Sequence, residues 1–413
     1  MTKKSFIISA LTVLIQYYDY HLFGFLAANI AKHFFSSNEA AIQILHTYFI
    51  MSLAMMAKPI GAIIFGKIGD SLGRSVSFKI SLAGTAIASI ILGLIPSYEI
   101  IGIFSAIILL ICRMVICTLV SSGSDGVRLY LYENIAASKR GLSIGITTSF
   151  MQAGTLIASL SAWFFTLNTM PSYSWRFAFL IGGGLGLIML YIMKINNFSD
   201  NNKINKKENF DQFQKMSITQ IIQKDYKLFI LCLILAGSIG STYQFIIIFF
   251  GTYNFEILKI LDRSVMQQYT SVAIICYLIF CIISGYLTDL LGAYNVFKAA
   301  IKIVLILAIS LCYITDVHNF SVFIYICVAC SLPFITMPAA LIYKRSIPIV
   351  IRYRFFSLSH AIGSILISAP TAFISTYLYH ETKISWLPIG YFIITLLMIF
   401  LSIYFLNKRE FKD

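Results

Sequence analysis

Charged residues are scarce in this sequence. Asp, Glu, Lys and Arg make up 12% of its 413 residues, whereas 59% are hydrophobic, and the mean hydropathy is +0.84. A soluble domain usually carries about 25% charged residues. The composition therefore excludes an ordinary water-soluble fold and leaves the lipid bilayer as the expected solvent.

The sequence also lacks the motifs that mark enzymes and ATP-driven pumps. It has no GxxxxGK[ST] phosphate-binding loop, no HExxH zinc motif, no paired acids and no nucleophile elbow. Its eight cysteines are scattered over apolar segments, and the CxxC formed by Cys327 and Cys330 has no accompanying ligand cluster. We therefore expect no enzymatic activity, no cofactor and no metal site, and we interpret the cysteines as buried small residues.

Long apolar runs, by contrast, are abundant. They are roughly 20 residues long, enough for a helix to cross about 30 Å of hydrocarbon, and they lack the alternation of barrel strands. Because lipid offers no hydrogen-bond partner to the backbone, such runs must be helical. We predict an all-α membrane protein with twelve transmembrane helices. The predicted helices lie at about 6–30, 45–68, 77–95, 99–124, 141–165, 176–194, 227–250, 265–288, 296–315, 319–343, 354–378 and 385–406.

A polar stretch divides these helices into two groups of six. Residues 196–226 are rich in Asn, Lys and Gln and are predicted to form a cytoplasmic linker between an N-terminal half, 1–195, and a C-terminal half, 227–413. The segment GKIGDSLG, which begins at Gly66, is repeated as GYLTDLLG, which begins at Gly285. In parallel repeats of this kind a substrate site forms between the halves near the membrane midplane. The repeat therefore indicates transport.

Positive charge is distributed unevenly over the predicted loops. If both termini face the cytoplasm, the opposite face keeps only Lys32, Arg176, Lys259, Arg263 and Lys383. This bias obeys the positive-inside rule. The formal net charge of +14 is therefore attributed to topology and to contact with anionic lipid headgroups rather than to nucleic-acid binding.

Four ionisable residues fall inside predicted membrane helices, where a charge is costly and usually functional. Asp19 lies in the first helix, Lys58 in the second, and Arg113 and Asp125 in the fourth. Asp19 could take up a proton from one side of the membrane. Lys58 and Arg113 could bind a carboxylate or hold Asp19 ionised. The alternative is that these charges pair with one another and are structural.

Aromatic residues cluster around Asp19. Tyr17, Tyr18, Tyr20 and Phe23 could stack on a quaternary ammonium group by cation–π attraction, although such clusters more often serve helix packing. His21 points about 200° away from Asp19 on a helix, which favours a packed histidine.

The glycines of the repeated segment predict close helix approach. Asp70 and Arg74 could form ion pairs and cap neighbouring helix ends at the cytoplasmic mouth, acting as a latch between conformations. The alternative is a tight polar turn without a switching role.

Several short motifs follow one another in order along the chain. They are Tyr18-Asp19-Tyr20 with Phe23-Gly24-Phe25, Lys58-Pro59-Ile60-Gly61, Phe65-Gly66-Lys67-Ile68-Gly69-Asp70 with Gly73-Arg74, Arg113 and Glu133 twenty residues apart, Arg140-Gly141, Trp175-Arg176, Pro348 and Arg352-Tyr353. Together they resemble the motifs of the metabolite:proton symporter family of the major facilitator superfamily, and within it those of the proline/betaine transporters. The resemblance runs over most of both halves.

The resemblance implies a major facilitator fold and proton-coupled uptake of a zwitterionic osmolyte or a small organic acid by alternating access. It implies a monomer in a bacterial plasma membrane, with solute, protons and lipids as its partners. Asp19, Lys58, Arg113 and Asp125 are then expected to serve substrate binding or proton coupling. The expected cytoplasmic gate consists of Gly66, Asp70, Gly73, Arg74, Glu133, Arg140 and Asp289.

The chain departs from the family pattern at several positions. Gln16 and Gly123 stand where acids are expected, the second repeat lacks its arginines after Gly292, and Arg345 replaces a glutamate. These departures keep an uncoupled uniporter or exchanger open as an alternative. A non-transporting membrane receptor is the alternative from another class.

Overall fold

The computed structural model describes residues 3–35, 50, 53–167, 169–196, 220, 222–223, 225–317 and 319–410. All regular elements within these ranges are helical. Most of the predicted linker, 196–226, and the start of the predicted helix 45–68 lie outside the described residues.

Seven helices precede the linker. They are α1 (Lys3–Phe25), α2 (Ala27–Phe34), α3 (Lys58–Ser71), α4 (Arg74–Leu94), α5 (Ile103–Asn134), α6 (Arg140–Phe165) and α7 (Trp175–Ile195). A single turn at Tyr98–Ile101 and a 3₁₀ turn at Ala137–Lys139 connect some of them. The predicted first helix, 6–30, is interrupted between Phe25 and Ala27, so that α1 and α2 together cover it.

Among the described residues after the linker there are eight α-helices of ten or more residues. They are α8 (Tyr226–Tyr243), α9 (Arg263–Leu291), α10 (Ala293–Asp316), α11 (Val322–Ser331), α12 (Pro333–Arg345), α13 (Arg352–Gly363), α14 (Thr371–Thr382) and α15 (Leu387–Glu410). Proline lacks an N–H and disfavours a helix interior. Pro333 accordingly marks the break between α11 and α12. A π-helix, Ser364–Ser368, connects α13 towards Pro370, which directly precedes α14. Each pair covers one predicted helix.

Within the described residues, nine helices are long and apolar enough to cross a membrane. They cover Ser75–Leu94, Phe104–Asn134, Trp175–Ile195, Tyr226–Phe249, Gln268–Leu291, Ala293–Asp316, Val322–Arg345, Arg352–Thr382 and Leu387–Lys408. The helices α1, α3 and α6 are not among them. Polar residues such as Gln16 and Asp19 lower the hydropathy of α1, and α3 is described for only 14 residues. Large apolar side chains such as Ile87 and Ile91 are exposed on the helix surfaces, as expected for contact with lipid.

Contacts group the described residues into two compact units. The first comprises the described parts of 1–134 and 150–216, and the second those of 135–149 and 217–413. In the first unit α4 packs against α5 and α7, and α1 packs against the same two helices. In the second unit α8 packs against α13 and α15, and α9 against α11 and α12. The first turns of α6 thus group with the second unit, whereas the predicted halves divide after residue 195.

The two copies of the repeated segment adopt the same backbone turn. Gly73, between α3 and α4, has φ +107°, and Gly292, between α9 and α10, has φ +86°. L-residues with a side chain rarely adopt these angles, so glycine is required at both positions. The sequence repeat therefore corresponds to a structural repeat at the junction of consecutive helices.

Candidate functional site

Asp19 is buried on α1 against α4 and α7, with 1% of its surface exposed. Its Oδ1 accepts a hydrogen bond of 2.8 Å from Oγ of Ser89, and the same Oγ lies 3.1 Å from the carbonyl oxygen of Phe179. A Cβ at Gly182 on α7 would overlap Asp19 Oδ1, so a glycine there lets α7 approach the carboxylate. Oδ2 has no hydrogen-bond partner among the described residues. One carboxyl oxygen therefore remains available for a proton.

Lys58 and Arg113 meet at the ring of Tyr20, on a different side of α1. Lys58 is the first residue of α3 and is half-buried, with Nζ 5.3 Å from the ring centroid of Tyr20. Arg113 on α5 is 1% exposed, with Cζ 5.0 Å from the Tyr20 centroid and 4.6 Å from that of Phe23. We call Lys58, Arg113, Tyr20 and Phe23 the cationic cluster.

The cationic cluster contains no carboxylate from the described part of the chain. Nε and Nη1 of Arg113 make no hydrogen bond within it, and no ion pair joins Asp19 to Lys58 or Arg113 there. In this conformation the described residues thus show no direct contact of either cation with Asp19, and a role of the two cations in holding Asp19 ionised stays a prediction. The reason for the missing contact is geometric, because Asp19 and Tyr20 point about 100° apart on α1 and face different neighbouring helices.

Asp125 is on α5 like Arg113, twelve residues later in the chain, and is fully buried. Its Oδ1 is 3.6 Å from Nη1 of Arg128, one turn later on the same helix. Nη2 of Arg128 in turn donates a hydrogen bond of 2.8 Å to the hydroxyl of Tyr17 on α1. Asp125 thus reaches α1 through Arg128 and Tyr17.

Gln16 and Gly123, the two positions where acids are expected from the family resemblance, lie next to each other. Nε2 of Gln16 donates to Oγ of Ser81 at 2.9 Å, and Ser81 donates to the carbonyl oxygen of Leu119 at 2.5 Å. A Cβ at Gly123 would overlap Ser81 Oγ, so a larger residue cannot enter without displacing it. The two positions where the resemblance leads us to expect acids therefore belong to one neutral polar contact among α1, α4 and α5.

Asp289 caps the N-terminus of α6 within the second unit. Its Oδ1 accepts a hydrogen bond of 2.7 Å from the backbone N of Gly141, and its Oδ2 accepts one of 2.8 Å from the N of Leu142. The first backbone N–H groups of a helix lack partners inside the helix and carry partial positive charge. The carboxylate satisfies two of them.

Glycines let α6 and α9 approach closely at this cap. A Cβ at Gly141 would lie 2.6 Å from the carbonyl oxygen of Gly285, and one at Gly145 would overlap that of Cys281. Oγ of Ser149 donates to the carbonyl oxygen of Leu278 at 2.7 Å. The repeated Gly285 and Asp289 therefore bind the first turns of α6.

The other predicted gate residues are placed as follows. Gly66 is buried in α3, Glu133 is half-buried near the end of α5, and Arg140 is the half-buried first residue of α6. The backbone of Asp70 and Arg74 belongs to α3 and α4, and their side chains lie outside the described residues.

Sequence reasoning missed three partners of this site: Ser89, Arg128 and Gly182. Serine and glycine are frequent in membrane helices, so no local pattern distinguishes them. Arg128 carried a signal, because it stands three residues after Asp125 on a helix, a spacing typical of ion pairs. His21 packs as expected, with Nδ1 3.0 Å from the carbonyl oxygen of Tyr17 and 3.2 Å from Oγ1 of Thr155.

Known proteins resemble this chain in sequence, one of them over nearly its whole length. The "Putative proline/betaine transporter" of Staphylococcus aureus (strain COL) is 27% identical over 425 aligned residues, which cover 98% of this chain and 88% of that protein. The "Proline/betaine transporter" of Escherichia coli (strain K12) is 26% identical over 263 residues, covering 61% of this chain and 52% of that protein.

Solved structures share the fold at lower sequence identity. The proton:xylose symporter XylE matches with a TM-score of 0.72 and 16% identity, covering 98% of this chain and 94% of XylE. The transporter FucP matches with a TM-score of 0.69 and 12% identity, covering 97% of this chain and 98% of FucP.

The family model described as Major Facilitator Superfamily matches residues 9–344. This match covers most of the chain and both copies of the repeated segment, and the structural relatives share its all-helical architecture. The chain therefore belongs to the Major Facilitator Superfamily, with the twelve-helix fold of that family, and is an integral membrane transporter of small solutes rather than an enzyme.

Proposed function

We propose that this transporter couples the uptake of a small carboxylate-bearing solute, either a zwitterionic osmolyte or a small organic acid, to the proton gradient. The observation that carries the proposal is Arg113, which is 1% exposed while Nε and Nη1 lack hydrogen-bond partners within the described structure. A buried charge is costly unless it is paired. A solute carboxylate that binds Arg113 beside Lys58 would offset this cost, and carboxylate–guanidinium hydrogen bonds are among the strongest in proteins.

Asp19 and Ser89 are the proposed proton site. An ionised Asp19 accepts the hydroxyl proton of Ser89. A protonated Asp19 can instead donate to Ser89, whose hydroxyl then turns to the carbonyl oxygen of Phe179 at 3.1 Å. A hydroxyl group both donates and accepts, so this exchange requires no movement of the helices. The names of the proline/betaine transporters and of the proton:xylose symporter support a solute and a proton as the two cargoes.

A uniporter or exchanger without proton coupling is the second candidate. It is favoured by the separation of Asp19 from the cationic cluster, because coupling would have to pass through α1 rather than through a direct ion pair. The neutral contact of Gln16 with Ser81, at a position where the family pattern has an acid, also favours a transporter without proton coupling.

Transport assays in proteoliposomes test these proposals. Uptake of radiolabelled proline, glycine betaine and small dicarboxylates is measured with and without an inwardly directed proton gradient. Accumulation above the outside concentration only with the gradient supports symport. Uptake that equilibrates supports the uniporter or exchanger, whereas binding without flux would indicate a receptor and overturn the proposal.

We further propose the topology that the charge bias predicts. The protein is a monomer in a bacterial plasma membrane, both termini lie in the cytoplasm, and the halves 1–195 and 227–413 are joined by the linker 196–226. The cytoplasmic gate is formed by the two repeated segments and by residues next to them: Gly66, Asp70, Gly73, Arg74, Glu133, Arg140 and Asp289. The cap of Asp289 on α6 supports this assignment, because it joins the repeated segment to the start of another helix.

Replacing Asp289 by alanine tests the gate. The variant loses two hydrogen bonds to a carboxylate, each worth about 1.5–3 kcal/mol before screening by solvent. We expect about tenfold slower transport and at least tenfold faster hydrogen exchange at the amides of Gly141 and Leu142, with insertion retained.

Asp316→Ala is the matched control, because it removes an exposed acid at the end of α10. It should leave both measurements unchanged. Wild-type flux in Asp289→Ala, despite faster exchange at residues 141 and 142, would show that the cap is structural and has no gating role.

A further inference from the structure

The two aromatic rings of the cationic cluster, Tyr20 and Phe23, already make cation–π contacts with cations of the protein itself. Cation–π attraction requires a cation within about 6 Å of a ring centroid. Arg113 meets this condition at both Tyr20 and Phe23, and Lys58 meets it at Tyr20. An ammonium group of a solute would have to approach the same rings beside two like charges.

The other two aromatic residues of the predicted ammonium site are also engaged. The hydroxyl of Tyr17 accepts a hydrogen bond from Arg128, which brings a third cation to this side of α1. The hydroxyl of Tyr18 donates to the carbonyl oxygen of Ala178 at 2.9 Å, and its ring is buried towards α7. The four rings therefore pack and bind protein groups rather than forming an open cage.

Among the described residues, the acidic side chains inside the membrane contact groups other than the cationic cluster. Asp19 bonds to Ser89 on another side of α1, and Asp125 lies beside Arg128. In the described part of the C-terminal half, every acidic residue lies near a helix end or in a connecting segment: Asp262, Asp289, Asp316, Glu256, Glu381 and Glu410. Among the described residues around Lys58 and Arg113, the excess charge is therefore positive.

We propose that the solute bound at Lys58 and Arg113 carries a net negative charge, as an organic mono- or dicarboxylate does, and that a zwitterion binds more weakly. This inference rests on the proposed function, because it concerns the same carboxylate site. Coulomb energy falls only as the inverse of distance and is large where the effective dielectric constant is low. The ammonium group of a zwitterion, a few Å from its own carboxylate, would therefore cancel much of the attraction to the cluster.

Glycine betaine and 3,3-dimethylbutyrate have nearly equal shape and isolate this charge effect, and a third ligand of similar size lacks the carboxylate. Glycine betaine is the zwitterion, 3,3-dimethylbutyrate replaces its nitrogen by carbon and is an anion, and 3,3-dimethylbutan-1-ol is neutral. Their affinities for the purified full-length protein in lipid nanodiscs are measured by calorimetry and by the shift in melting temperature. We expect the anion to bind at least tenfold more tightly than glycine betaine, and the alcohol to bind more weakly than the anion by a similar factor.

Lys58→Met provides the second arm of the experiment. The variant should bind 3,3-dimethylbutyrate at least fivefold more weakly and should lose most of the preference over glycine betaine. Equal or tighter binding of glycine betaine to the wild type overturns the inference, and so does binding of none of the three ligands. Anion-selective binding without flux in proteoliposomes would overturn the proposed transport while leaving the charge preference standing.

Discussion

Arg113→Met is expected to weaken solute binding about 100-fold while leaving the melting temperature of the ligand-free protein equal or higher. Truncating one partner of a buried hydrogen-bonded charge pair costs about 2–5 kcal/mol of binding, and 100-fold corresponds to about 2.7 kcal/mol. The stability result follows from the ligand-free structure, in which Nε and Nη1 of Arg113 have no partner among the described residues. Removing a buried charge that has no carboxylate partner among the described residues removes its desolvation cost, which offsets the loss of its cation–π contacts with Tyr20 and Phe23.

Arg113→Lys and Arg176→Met are the controls for this prediction. Lysine keeps the charge but not the forked pair of donors, so we expect an intermediate loss of about tenfold. Arg176 donates to the carbonyl oxygens of Gly93 at 3.1 Å and Ile95 at 2.5 Å, at the end of α4. Arg176→Met should therefore lower the melting temperature and leave solute affinity unchanged.

The opposite pattern would contradict the proposed role of Arg113. If Arg113→Met melts several degrees lower than the wild type and binds solute with unchanged affinity, the residue is a structural element of the cluster with Tyr20 and Phe23. Calorimetry on the solubilised variant and melting curves of the same sample separate the two cases.

Asp19→Asn is expected to abolish accumulation driven by the proton gradient while preserving solute exchange. With one proton per solute and the membrane potential held at zero, one pH unit supports about tenfold accumulation, since 1.36 kcal/mol corresponds to a factor of ten. Asparagine has the shape of aspartate and can still accept the hydrogen bond from Ser89 through its oxygen. It cannot exchange a proton, so the accumulation ratio should fall to about one.

Two further variants separate loss of the proton site from damage to its surroundings. Ser89→Ala removes the hydroxyl but keeps the carboxyl, so gradient-driven accumulation should persist at a reduced rate. Gly184 lies on α7, two residues after the tightly packed Gly182, and a Cβ at Gly184 meets no atom within 4 Å. The control variant Gly184→Ala should therefore behave like the wild type. Accumulation in Asp19→Asn equal to that of the wild type would exclude Asp19 as the coupling residue.

The helical positions of this protein were largely predictable, because apolar runs of membrane length have few structural alternatives. The predicted segment 176–194 corresponds to α7, Trp175–Ile195, within one residue. The breaks after Ser331 and Gly363 were not predicted. The break after Ser331 depends on Pro333, which a membrane helix can accommodate when neighbouring groups satisfy the freed backbone. After Gly363 the chain continues as a π-helix, Ser364–Ser368, which ends before Pro370 and α14.

The candidate site was predictable as a set of residues but not as a set of contacts. Asp19, Lys58, Arg113 and Asp125 stand out in the sequence because charge is rare in apolar segments. The sequence does not show how these residues group: Lys58 and Arg113 both contact the ring of Tyr20, whereas Asp19 accepts a hydrogen bond from Ser89. Partners such as Gly182 are small and frequent, and only the close approach of α7 gives them a function.

The sequence by itself determined the membrane environment, the helical class, the internal repeat and the short list of buried charges, because each follows from hydropathy or from local spacing. Only the tertiary structure decided which side chains meet. A helix fixes the angle between Asp19 and Tyr20 at about 100°. Packing between segments distant in the chain then places α4 and α7 on the side of α1 that carries Asp19, and α3 and α5 on the side that carries Tyr20. The same packing lets Asp289 cap α6, a contact that no local pattern encodes.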